Sequence, residues 1–80
     1  MTDIKYVVGE DWQGLYVNSW LKIEGHTIPT YQAIHIVAKS CYGDIQTEEI
    51  LVNQEWLEEQ GNLPNRFSDI PENVIEKRRQ

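Results

Sequence analysis

Cysteine occurs once in the 80 residues, at Cys41, so the chain cannot close an internal disulfide, and a secreted fold stapled by such bonds is excluded. Long apolar runs are missing too: nothing approaches the ~20 consecutive apolar residues that a membrane-spanning helix needs. The first residues, Met1-Thr2-Asp3-Ile4-Lys5, lack the basic-then-apolar order of an export leader. A cytoplasmic protein without membrane contact is therefore expected. Basic side chains are scarce, seven Lys and Arg against thirteen Asp and Glu, and the resulting net charge of −6 repels a phosphate backbone. Direct binding to nucleic acid is not expected.

Ligands for a metal are equally few. Beyond Cys41 the chain has only His26 and His35 as nitrogen or sulfur donors, and residues 35 and 41 of one helix project roughly 240° apart. Gly9-x-x-x-x-Gly14 lacks the Lys-Ser/Thr that completes a phosphate-binding loop. Cys41 belongs to an apolar stripe, which favours a buried and inert thiol over a nucleophile. Glu48-Glu49 and Glu58-Glu59 are adjacent pairs whose members point apart on a strand or helix, so neither has the geometry of an acid/base couple. No metal, cofactor or catalytic residue is expected.

What the chain does have is apolar mass, 40% of residues with eight aromatics among them, enough to fold around one core. A single domain over residues 1–80 follows. Ile4 to Val8, rich in β-branched residues and ending at Gly9, predicts a strand. Leu15-Tyr16-Val17 and Trp20-Leu21-Lys22-Ile23 flank Asn18-Ser19, a two-residue connection suited to a hairpin, because Asn tolerates positive φ. Alternation in the second arm puts Leu21 and Ile23 on the core side and Trp20 outside or on an edge.

Pro29 and its flanking Thr27 and Thr30 predict a helix start. That helix runs to about Tyr42, with Ile34, Val37, Ala38 and Cys41 as its apolar stripe and Gly43 as a left-handed stop. Ile50-Leu51-Val52 closes a further strand from Gln46. Asn53 caps a short helix, Gln54 to Gln60, with Trp56 and Leu57 inward and Gly61 ending it. Asp69-x-x-Glu72 reads as the capping box of a last helix reaching Arg79. The expected fold is α+β: a small, mainly antiparallel sheet made of the N-terminal hairpin and the later strand, packed against one main helix, with short C-terminal helices.

The charge is local. Asp44, Glu48, Glu49, Glu55, Glu58 and Glu59 fall in a window without Lys or Arg, whereas Lys77, Arg78 and Arg79 lie near the C-terminus. A non-catalytic interaction protein is the leading expectation, with Glu48, Glu49, Glu55, Glu58 and Glu59 facing a basic protein partner and Trp12 as an aromatic contact. A ring of Trp12 folded back on the sheet, and ordinary solvated carboxylates, are the plainer readings of the same residues. An alternative is a small-molecule binder or minor enzyme with a pocket between hairpin and helix, using Tyr16, His26, Tyr31 and His35. A third is a homodimer formed through a sheet edge and an exposed Trp.

Val8-Gly9-Glu10-Asp11-Trp12-Gln13-Gly14-Leu15-Tyr16-Val17-Asn18, then Glu24-Gly25-His26, and later Glu55-Trp56-Leu57-Glu58-Glu59-Gln60-Gly61 resemble small uncharacterised proteins of bacteria and their phages. The resemblance implies a cytoplasmic bacterial or viral setting. It carries no activity and assigns no site residue.

Overall fold

The computed structural model describes residues 2–40 and 43–79. Its centre is a five-stranded sheet of order β3-β2-β1-β4-β5, made from Thr2–Val8 (β1), Gln13–Val17 (β2), Trp20–Gly25 (β3), Ile45–Val52 (β4) and Ile75–Arg79 (β5). Helix α1, Thr30–Ser40, links β3 to β4, and helix α2, Gln54–Gln60, follows β4.

The hairpin forms where expected. Asn18 and Ser19 take φ values of 51° and 73°, the doubly left-handed turn whose twist matches its flanking strands. Asn18 also grips β1, its amide donating to the Asp3 carbonyl (2.8 Å) and its Oδ1 accepting from the Asp3 amide (2.9 Å). The second arm departs from simple alternation. A register shift between Leu15 and Tyr16 turns Leu21 toward the Tyr16 side of the sheet and Ile23 toward the Leu15 side. Trp20 lies outside, 49% exposed, with the Arg66 guanidinium 4.5 Å from its ring centre.

The sheet is mixed, not mainly antiparallel. β4 runs parallel to β1, from Thr2 opposite Ile45 to Val8 opposite Leu51, and antiparallel to β5. The α1 crossover brings β4 in beside β1 in the same direction as β3, which a reading of local alternation cannot foresee. The last helix is also replaced. Asp69 and Glu72 belong to single 3₁₀ turns, Phe67–Asp69 and Glu72–Val74, and Ile75–Arg79 is strand β5. A helix there would have had only Val74 and Ile75 to bury. As a strand the segment instead satisfies the outer backbone groups of β4 and sets Arg78 and Arg79 beside Glu48 and Glu49.

Each face of the sheet has its own core. On one, Val7, Tyr16, Ile50 and Val52 meet Leu57 of α2 with Leu63 and Ile70. On the other, Ile4, Leu15 and Val17 meet Ile28, Ala33, Ile36 and Val37 at and before α1. The helix is thus rotated from the predicted stripe: Ala33, Ile36 and Val37 face the sheet, while Ile34 is 62% exposed and Ala38 is exposed. Burial of Ile28, whose amide donates to Gln13 Oε1 (3.1 Å), fixes that rotation at the helix entry. The expected continuation through Cys41 to Tyr42 lies outside the described residues; Gly43 has the left-handed φ of 75°.

Both sheet edges are guarded. The 65–67 segment lies along β3, with Leu21 N donating to Asn65 O and Phe67 N to Ser19 O. On the β5 edge, Glu76, Lys77, Arg78 and Arg79 are charges that discourage pairing with another chain. No helix among the described residues is long and apolar enough to cross a membrane.

Candidate functional site

Adjacent strand residues face opposite ways, and so do Glu48 and Glu49. Glu48 shares the Tyr16 face with its register partner Lys5, and its carboxylate lies 3.5 Å from both Lys5 Nζ and Arg78 Nη1. Lys5 also pairs with Asp3 and Arg78 with Glu72, and both cations lie within 6 Å of the Phe67 ring centre. Glu49 turns to the α1 face and pairs with Arg79 at 3.5 Å. The cations of β1 and β5 therefore answer the two strand carboxylates internally.

The α2 carboxylates are different. Glu55, Glu58 and Glu59 are exposed and make no ion pair among the described residues. Asn53 builds this helix as expected, its Oδ1 accepting from the Trp56 amide at 3.0 Å, and Gly61 ends it with φ 79°. Leu57 is buried against the sheet, which turns the glutamates outward.

Against α2 lies the loop between β1 and β2. Gln54 Oε1 accepts from the amides of Glu10 (2.7 Å) and Asp11 (3.1 Å), and the Gly9 amide closes the loop on the Trp12 carbonyl (2.8 Å). The approach is close: a Cβ at residue 9 would sit 2.3 Å from Leu57 Cδ1 and 2.6 Å from Gln54 Oε1, so both side chains would have to shift to admit it. Trp12 is half-buried against the core, its Nε1 donating to Glu24 Oε1 (2.9 Å), which also accepts the Leu63 amide (2.8 Å). His26 meets the Trp12 ring edge-on at 4.9 Å and holds Nδ1 3.0 Å from the Asp11 carbonyl oxygen.

These contacts frame a cavity of about 220 Å³ lined by Asp11, Trp12, His26, Gln54, Leu57, Glu58 and Gly61. Next to it a second, more polar depression is lined by Glu10, Glu55, Glu58 and Glu76 with Val52, Asn53 and Gln54. Glu58 is common to both. One end of the molecule thus combines an indole wall with a rim of carboxylates.

Of the residues singled out in the sequence, Trp12, His26 and Glu58 share the cavity, Glu55 joins Glu58 in the adjoining depression, and Glu59 is exposed on the same short helix. Glu48 and Glu49 are elsewhere and already paired. The alternative set is not brought together. Tyr16 is fully buried on the α2 side of the sheet, donating to the Pro64 carbonyl at 2.6 Å, whereas Tyr31 and His35 stack on α1 across the sheet, with ring centres 6.3 Å apart. The space expected between hairpin and helix is filled by Leu15, Val17, Ala33 and Val37. Sequence reasoning missed Gln54 and Glu24, which position the site through long-range bonds to backbone and indole. Their only local signal is a polar side chain flanking a helix cap or ending a strand. Comparison with protein-family models, with curated proteins and with solved structures finds no match to this chain.

Proposed function

We infer that this is a non-catalytic interaction protein whose acidic end, formed by α2 and the 9–12 loop, receives a basic segment of a protein partner. The observation that carries the reading is the partition of the carboxylates: Glu48 and Glu49 are spent on Lys5, Arg78 and Arg79, while Glu58 on the Trp12 cavity, Glu55 in the depression next to it and Glu59 exposed on the same helix stand unpaired. An Arg or Lys side chain entering that cavity meets Asp11, Glu58 and the indole, and a cation on an aromatic face adds about 0.5–2 kcal/mol to such a contact. Glu10, Glu55 and Glu76 then steer the remaining positive charge. The association regulates or inhibits the partner, in a cytoplasmic bacterial or phage setting.

An arginine-rich peptide is the probe. Calorimetric titration should show binding at low ionic strength that weakens by about tenfold or more on raising salt to physiological strength, where the screening length falls to about 8 Å. Absence of heat at low salt, or affinity indifferent to salt, would contradict the reading.

A further inference from the structure

The α1 side of the sheet carries an uncovered apolar surface. Tyr31 is 79% exposed, Ile34 62% and Ile45 47%, and Ala38 is exposed beside them. Ala33, Ile34, Val37, Ala38 and Ile45 together line a shallow depression of about 350 Å³. The Tyr31 ring stacks instead on its neighbour His35, one turn along the helix, and does not line the hollow.

We propose that this surface joins two copies of the chain, α1 against α1 across a two-fold axis, with Tyr31 of each copy seated in the hollow of the other. Three features select a second copy as the occupant. The stripe Tyr31, Ile34, Ala38 has a large ring at one end, a small methyl at the other and an aliphatic side chain between. An antiparallel pairing centred near Ile34 therefore sets ring over methyl at both ends and Ile34 against its equivalent, the self-complementarity that an isologous interface needs.

Charge points the same way. In a chain of net charge −6, the eleven residues of α1 contain no carboxylate, so this is a face on which two acidic molecules can approach closely. The first turn of α1 also lacks an acidic residue of its own. Seating Tyr31 next to Ile45 brings that positive helix end toward Asp44 of the other copy, a complementary pair formed twice. Finally, α2 lies on the opposite face of the sheet, so both acidic ends remain open in the dimer. The inference stands apart from the basic-partner reading, and neither fails with the other.

Sedimentation velocity and light scattering of the full chain, from about 1 µM to about 1 mM, provide the test. The expected result is a mass rising with concentration from 9.4 kDa toward twice that value. Ile34→Glu should hold the protein at the monomer mass throughout, and Ala38→Trp, which fills the hollow, should weaken association by tenfold or more. Both positions are exposed, so far-UV circular dichroism and Tm measured at monomeric dilution should match the parent. A monomer at every concentration overturns the proposal, as does a dimer that Ile34→Glu leaves intact.

Discussion

Tyr16→Ala is expected to remove a large part of the chain's folding stability. Tyr16 has no exposed surface, lies on the inner strand β2, and packs T-shaped against Phe67 with ring centres 5.6 Å apart. Its hydroxyl donates to the Pro64 carbonyl, which fastens the 62–67 loop that in turn covers the β3 edge. Truncating a buried aromatic costs about 3–5 kcal/mol. A domain of this size has roughly 4–12 kcal/mol in total. The Tm should fall by about 15 °C or more, given the ~4–8 °C per kcal/mol of small domains.

Tyr16→Phe separates the ring from the hydroxyl. It should cost about 1–2 kcal/mol at neutral pH, because the Pro64 carbonyl loses its donor. Burial, with the nearby Glu24 and Asp69 charges, raises the Tyr16 pKa above its ordinary value of 10. A raised folded-state pKa means that the neutral phenol is favoured by folding, so its stabilisation is complete below pH 10 and is lost progressively above it. Tyr6 shifts in the same direction, through burial and Glu49. Denaturant titrations should therefore show the parent losing stability above pH 10 more steeply than Tyr16→Phe. Equal slopes would show that the phenol ionises as freely in the folded chain as in the unfolded one.

Reversing Glu55, Glu58 and Glu59 to Lys is expected to abolish binding of an arginine-rich peptide while leaving the fold in place. The three side chains are exposed and unpaired, so no folded-state contact is lost. Lysines at 58 and 59 suit the negative end of α2 and offset the loss of Glu55 from its first turn. Surface changes of this kind normally alter stability by about 0.5 kcal/mol each or less. At the cavity, the approaching guanidinium would meet ammonium groups where it had met carboxylates, and the affinity should fall more than a hundredfold, roughly 3 kcal/mol. Neutralising Glu48 to Gln is the contrasting change. Its carboxylate already lies between Lys5 and Arg78, so it should disturb that network and leave peptide binding nearly unchanged.

Much of the fold is legible along the chain. Asn18-Ser19 marks the hairpin, and Asn53 and Gly61 bracket α2, because turn and cap chemistry acts over a few residues. The failures are long-range. The direction of β4 depends on the crossover, and the rotation of α1 on where Ile28 is buried. The capping pattern at Asp69 was outweighed by the unpaired edge of β4, which turned Ile75–Arg79 into a strand. The site shows the same division. The acidic window is visible in the sequence, but which carboxylates are free is decided by β5, whose arginines come from the other end of the chain.

The most direct test of the acidic-end reading is a ¹H–¹⁵N NMR titration of the protein with an arginine-rich peptide at low ionic strength. Shifts should be confined to residues 9–12, His26, residues 53–61, Glu76 and the Trp12 indole N–H, and should vanish when salt is added. Shifts centred instead on Asp3, Lys5 and Glu48, or scattered evenly over the surface carboxylates, would contradict it.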